Sequence, residues 1–406
     1  MITLTRPGPA LARACLDTGG GFCWWYADVV DAAGNGVVVI AGFGLPFLPG
    51  VAGAARRGAP VVPSARPSVN LAVYEAGRCT WYGLLELPPS SSSWSTAADA
   101  GAGADGLIEE QRFGDCRFAR RVVGDVAEFV ATLDVALPYG RARGTVVVRG
   151  RARGPAEQDA LDVAADGARP HSATEAPRHD WCPQILHAHG AVDLTLGDAG
   201  AGWPERRVVV AGRGYHDRNG ALAPLHDLGI DHWCWVRSSL PHEDRVLYAL
   251  WPTDGIGRGG APRAFGLVVD DRGSRVVPDL RLQVRRAPVN WLGLRRIDEL
   301  VAFAGDDAPV PFVHVRALHV VDDGPFYARA LCASSTTAQP PSSTITDGVM
   351  ETVTPHRVDV PWQRPFVRMR VTPPAPQALS PWHPLFVGDA QGRVGRLVRS
   401  FAAGRA

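Results

Sequence analysis

Trp24-Trp-Tyr-Ala-Asp-Val-Val30 and, after an intervening turn signal, Val37-Val-Val-Ile-Ala41 are two apolar runs of strand length at the start of the chain. Short runs rich in β-branched and aromatic residues, set between turn residues, are the signature of sandwiches and barrels. The pattern continues at Val69 to Tyr74, Thr80 to Leu87, Ala127 to Leu137 and Thr145 to Arg149. It recurs at Val192 to Leu196, Arg207 to Ala211, Trp233 to Ser238, Val246 to Trp251 and Ala264 to Val269. Leu280 to Arg285, Phe312 to Val321, Phe326 to Cys332 and Phe366 to Val371 complete the set. In Leu280-Arg-Leu-Gln-Val284 every second residue is apolar, which predicts one buried and one wet face. Helical periodicity is scarce, with single turns expected at Ile297 to Phe303 and Leu222 to Asp227. The chain reads as all-β.

At 406 residues the chain exceeds one comfortable core, so two domains are expected. Similar strand numbers on either side of residue 195 place the division there, giving 1–195 and 196–406 as two barrels or sandwiches in tandem. Linker-like stretches run from Pro88 to Gly106, from Arg153 to Pro177 and from Ala333 to Gly348. The first of these cannot bury enough surface to stay ordered by itself.

Composition narrows the chemistry. The 42 basic residues are all Arg and balance 41 acidic ones to a net charge of +1. Without a Lys, Schiff-base chemistry, a pyridoxal-phosphate site and a Walker A loop are excluded. No basic stripe points to nucleic acid. Seven cysteines, an odd number with no C-x-x-C, argue against a disulfide framework or a Cys-rich zinc site and for a reducing compartment. The N-terminus lacks the sustained apolar core of a signal peptide. Gly36 to Ala55 is uncharged and long enough to span a bilayer, but Pro46, Pro49 and five Gly argue against a continuous helix. It reads as a buried strand running into an apolar loop, either core-facing or a greasy portal at a membrane surface.

The chain carries no G-x-S-x-G elbow and no H-E-x-x-H helix. Gly255-Ile-Gly257-Arg-Gly259-Gly260 does not open a periodic helix, so it is a poor nucleotide loop. His187-Ala-His189 could share a strand face, yet no neighbouring carboxylate or Cys completes a metal set. Two features stand out. Trp24, Trp25 and Tyr26 belong to a cluster of four aromatic residues in five positions, which either packs a core or offers π-faces to a carbocation. Tyr215-His216-Asp217-Arg218-Asn219 concentrates polar chemistry beside an apolar strand. It reads equally as a capped turn or as a site.

Several of these segments resemble the carotenoid 1,2-hydratase (hydroxyneurosporene synthase) family of two-domain lipocalin-like proteins. Trp24 to Val30 with Val37 to Leu48 looks like the family's opening strands, and Pro67 to Tyr74 like its next. His179-Asp-Trp181-Cys-Pro183, then Gly212-Arg-Gly-Tyr215-His-Asp217-Arg-Asn219, are similar to its His-x-Trp-x-Pro and Gly-x-Gly-Tyr-x-Asp-x-Asn blocks. Trp233-Cys-Trp235 and Leu247-Tyr248 follow, so the likeness covers roughly residues 20 to 255. Gly220-Ala221 and the stretch from Tyr82 to Pro89 depart from the family pattern, and both bear on the substrate.

The resemblance implies two lipocalin-like barrels and a hydro-lyase that protonates a terminal isoprenoid double bond, water then capturing the tertiary cation. Carried over as catalytic are Asp217, Tyr215, His179 and Trp181, with Asp217 the acid, kept neutral by an apolar pocket. His179 would orient or deprotonate the water. Trp24, Trp25, Tyr26, His216 and Asn219 are the expected substrate contacts. No cofactor or metal is implied. The expected partner is a hydrophobic isoprenoid or polyene, in a cytoplasmic protein with peripheral membrane contact. Two other activities suit the same scaffold: a cofactor-free cyclase of the terpenoid or Diels–Alderase kind, and a non-catalytic carrier of a hydrophobic ligand.

Overall fold

The computed structural model describes residues 2–4, 9–96, 106–137, 140–152, 179–197, 205–253, 262–305, 308–366 and 371–372. The first sheet contains β1 (Ile2–Leu4), β2 (Phe22–Val30), β3 (Gly36–Phe43), β4 (Pro67–Glu75), β5 (Arg78–Glu86) and β6 (Ser92–Thr96). It continues through β7 (Leu107–Phe113), β8 (Cys116–Val123), β9 (Val126–Leu137), β10 (Gly140–Arg151), β11 (His179–Gly197) and β12 (Arg206–Ala221). The second sheet contains β13 (Ile230–Ser239), β14 (Glu243–Pro252), β15 (Arg263–Asp270), β16 (Gly273–Val277) and β17 (Arg281–Arg286). β18 (Glu299–Phe303), β19 (Pro311–Asp323), β20 (Tyr327–Ser335) and β21 (Gly348–Val353) complete it, and β22 (Val371–Thr372) returns to the first sheet. Helices are few: Pro9–Asp17, Val51–Arg56 and short 3₁₀ turns.

The first sheet has thirteen strands, ordered β22-β5-β4-β3-β2-β12-β11-β10-β9-β8-β7-β6, with β1 added against β11. Two meanders thus meet where β2 pairs with β12. The sheet curls until Trp25 of β2 meets Trp94 of β6 and Phe113 of β7. The nine-stranded second sheet, ordered β16-β15-β14-β13-β21-β20-β19-β18-β17, curls likewise. Phe312 of β19 reaches across to Gly266 of β15, where an added Cβ would lie 2.3 Å from the ring. Each curl closes over its own core, and a third core lies between the sheets.

This arrangement explains why β2 shows no polar alternation. All nine of its residues are buried, because one face lines the first sheet's own core and the other meets the second sheet. Strands covered on both faces read as continuous apolar runs. The two half-barrel sheets confirm the all-β, lipocalin-like expectation.

Several local expectations change. Within Ile297 to Phe303, Glu299–Phe303 is strand β18 rather than a helical turn, since a short apolar run has no periodicity to tell the two apart. Leu225–Asp227 does form a 3₁₀ turn. Part of Pro88 to Gly106 is ordered: Ser92–Thr96 borrows stability by pairing with β7. Val284 is 41% exposed although its alternation predicts burial, because β17 ends the second sheet. Phe366 belongs to a 3₁₀ turn and Val371 to β22, while residues 367–370 of the expected strand lie outside the described residues. The changeover between sheets falls between Ala221 and Ile230, later than residue 195, because β11 spans that point and β12 pairs with both β11 and β2. Residues 153–177 and 254–261, which include the Gly255 to Gly260 stretch, lie outside the described residues.

Candidate active site

The middle of the first sheet presents one polar face to the second. On β12, Tyr215, Asp217 and Asn219 alternate to that side. β11 and β2 flank it in register: Trp181 and Trp24 both oppose Asn219, Tyr26 opposes Asp217 and Asp28 opposes Tyr215. The Gly-Tyr-x-Asp-x-Asn block is therefore a central strand, not a capped turn.

Asp217 is the hub. Its Oδ2 accepts from the Tyr215 hydroxyl at 2.7 Å and the Trp181 indole N–H at 2.8 Å. Its Oδ1 accepts from Asn219 Nδ2 at 2.8 Å. The Asn219 carbonyl oxygen lies 3.0 Å from His179 Nε2, which must donate because an amide oxygen only accepts. His179 Nδ1 is then the bare nitrogen, buried and without a partner among the described residues.

Burial controls the proton inventory. It pushes the Asp217 carboxyl up to about 8, aided by the negative charges of Glu351 and Asp28 and opposed by the hydrogen bonds from Tyr215 and Trp181. Asp217 has no arginine among its hydrogen-bond or ion-pair partners within the described residues. Burial pushes His179 down to about 3, so its ring is neutral. Phe22, Trp24 and Trp233 surround that ring edge-on at 5.4 to 5.7 Å. The site thus holds a neutral acid among aromatic faces.

A cavity opens beside Asp217 and Asn219. Trp24, Tyr26 and Tyr82 wall it from the first sheet, and Trp233, Trp235 and Tyr248 from the second. Its volume is about 60 Å³. It is a slot rather than a chamber. Leu45 and Phe47 from the uncharged segment also line it, and Phe47 stacks on Phe326 at 5.7 Å, so that loop faces inward.

Two expected substrate contacts lie elsewhere. Trp25 and His216 point to the opposite face of their strands, into the first sheet's own core. Trp25 packs on Phe43, Trp94 and Phe113, while His216 stacks on Phe129 at 3.9 Å and donates from Nδ1 to the Tyr26 carbonyl. A period of two separates them from Trp24, Tyr26, Tyr215 and Asp217 by one position. Tyr26 itself donates to Asp28 at 3.0 Å, and Asp28 pairs with Arg237 of β13 at 2.6 Å.

The second sheet supplies cavity residues that the sequence reading left unassigned: Trp233, Trp235, Tyr248, Tyr327, Arg329 and Glu351. A signal existed for two of them. Arg329 and Glu351 are charges inside otherwise apolar strands, and such charges are usually buried pairs or sites. Among the described residues no group of three or more His, Cys, Asp or Glu is arranged to hold a metal ion. His187 sits at a bulge with φ 48° against Asp244 and Asp271, while His189 is exposed. The two therefore do not form a pair. No helix among the described residues is long and apolar enough to cross a membrane.

Two curled sheets closing on a buried carboxyl and an aromatic slot define a lipocalin-like protein. The carotenoid hydratase CrtC family profile matches residues 134–378. The chain belongs to that family. It is 27% identical over 329 residues to the acyclic carotenoid 1,2-hydratase of Thiocapsa roseopersicina, a match covering 77% of this chain and 65% of that protein. It is also 27% identical to the hydroxyneurosporene dehydrogenase of Chlorobaculum tepidum over 77% of each. Among solved structures, CghA with Sch210972 superposes with a TM-score of 0.51 at 14% identity, covering 83% of this chain and 88% of CghA, a likeness of fold.

Proposed function

We propose that this chain hydrates a terminal carbon–carbon double bond of a hydrophobic isoprenoid, with Asp217 as the acid. Asp217 gives its proton to the less substituted alkene carbon, and the tertiary cation forms on its neighbour. Trp24 and Tyr26, which line the slot, offer π-faces to that cation without attacking it, while Trp181 and Tyr215 lie behind the lining and hold the carboxyl by hydrogen bonds. Water then bonds to the cationic carbon and loses a proton, which restores the Asp217 carboxyl. His179, neutral and one hydrogen bond behind the lining residue Asn219, orients that water through Asn219. Asn219 links the two groups, bonding His179 through its oxygen and Asp217 through its nitrogen.

The observation that carries this reading is a carboxyl raised to about 8 in an aromatic slot, with no cation among its hydrogen-bond or ion-pair partners within the described residues. With a cavity volume of about 60 Å³, an isoprenoid end enters lengthwise only as the lining side chains move apart. The test is Asp217→Asn. Turnover should fall by at least about 10³-fold while circular dichroism keeps the all-β spectrum, since the proton donor is lost and the packing is not. Product mass checks the reaction class: hydration adds one water, whereas cyclisation leaves mass unchanged. An Asp217→Asn variant with near-normal turnover ends the proposal.

A further inference from the structure

The wall of the slot opposite the acid is polar in a way that a hydrocarbon cannot satisfy. Arg329 of β20 is 2% exposed and lines the cavity with Glu351 of β21. Its Nε donates to Glu351 at 2.8 Å and its Nη1 to the Tyr74 hydroxyl at 2.6 Å. The guanidinium lies 5.3 Å from the Tyr327 ring and 5.9 Å from the Tyr26 ring. Tyr26 in turn packs 6.0 Å from Tyr215, whose hydroxyl donates to Asp217, so this group reaches the acid through two aromatic rings. Two buried donors on the same wall have no hydrogen-bond partner among the described residues: the Tyr327 hydroxyl and the Trp235 indole N–H. Buried polar atoms are almost always paired, and an unpaired one in a cavity asks for a partner from the ligand. An indole N–H and a guanidinium only donate, so the complementary atom is an acceptor.

We propose that Trp235, Tyr327 and Arg329 form a subsite for an acceptor oxygen, so that the substrate is an oxygenated isoprenoid or polyene, a ketone or an alcohol, rather than a pure hydrocarbon. The inference rests on the same cavity being the substrate site and adds the class of molecule that fills it. Occupation by the wrong ligand is discriminated strongly: a site built to bond an oxygen rejects the analogue that lacks it.

Binding tests this without turnover. Geranylacetone, its alcohol and the hydrocarbon bearing a methylene in place of the carbonyl are titrated against the full chain, with quenching of tryptophan fluorescence as the readout. The wild type should hold the ketone or alcohol at least about tenfold tighter than the hydrocarbon. The Tyr327→Phe/Trp235→Phe double variant should lose that preference and keep its affinity for the hydrocarbon. Equal affinity of all three probes for the wild type overturns the subsite, and so does a folded double variant that keeps the full preference. If the double variant fails to fold, the wild-type comparison decides alone. Loss of the acid's role shows separately, as Asp217→Asn retaining turnover beside an intact ketone preference.

Discussion

Asp217 and His179 sit within one hydrogen-bonded chain, and burial moves them in opposite senses relative to neutrality. The carboxyl rises to about 8 and keeps its proton, while the imidazole falls to about 3 and sheds it. An acid that must be protonated predicts kcat constant below neutrality and falling tenfold per pH unit above about 8, which a pH–rate profile reads directly. Stability carries the same signs. Asp217 binds its proton more tightly folded than unfolded, so its contribution is complete below about pH 4 and is lost as pH rises through about 8. His179 and His216 are lowered on folding, so they contribute above about pH 6.5 and their contribution is lost as pH falls towards 3. Thermal unfolding should therefore show greatest stability near pH 6 to 7, with losses on both sides. In Asp217→Asn the alkaline loss between pH 6 and 9 should disappear while the acid loss remains. An unchanged alkaline slope would show that Asp217 is ionised in the fold. Which residue types make up the candidate site was legible in the sequence, because acid, imidazole, indole and phenol fall within two short blocks. Their protonation states were not, since these follow from burial between two sheets.

At the scale of a strand, alternation decides which of two adjacent residues touches the cavity. The sequence shows Trp24-Trp25-Tyr26 and Tyr215-His216-Asp217 as unbroken clusters, and a strand wet on one side would have labelled the faces by polarity. β2 and β12 are covered on both sides along the site, so the label is missing and the register is visible only in the fold. The distinction can be measured. Trp25→Leu should cost roughly 2–4 kcal/mol of stability by opening a cavity among Phe43, Trp94 and Phe113, with kcat retained. Trp24→Leu removes a π-face beside His179 and should lower kcat by at least about tenfold. Urea unfolding and initial rates on both variants check the pair. If the effects exchange, with Trp25 controlling rate and Trp24 only stability, the register assigned to β2 is wrong. The same reasoning explains β18, where five apolar or half-buried residues had no partner in sequence to declare them a strand.

For the whole molecule, the site exists only while the two sheets stay closed on each other, and buried charges tie them together there. Asp28 of β2 and Arg237 of β13 are 0% and 1% exposed, and Arg237 donates to both Asp28 oxygens, at 2.6 and 3.3 Å. Arg329 of β20 bonds Tyr74 of β4 in the same interface. A buried ion pair adds little net stability over apolar residues of equal volume, because desolvation offsets the attraction, yet removing one partner strands the other charge. Arg237→Met should therefore cost about 3–5 kcal/mol, measured as a lower urea midpoint. Asp28→Leu/Arg237→Met should recover most of that loss, leaving a residue of about 1 kcal/mol for the Tyr26 and Ser239 hydroxyls that lose their partners. The recovery discriminates between two roles for the pair. If the double variant regains stability but turns over more slowly, the pair fixes how the sheets meet over Asp217, whose charge state also responds to Asp28. If stability and rate return together, apolar packing alone holds the slot in shape. If stability does not return at all, the sheets depend on the charges themselves, and the view of the interface as an apolar seam around a satisfied ion pair fails.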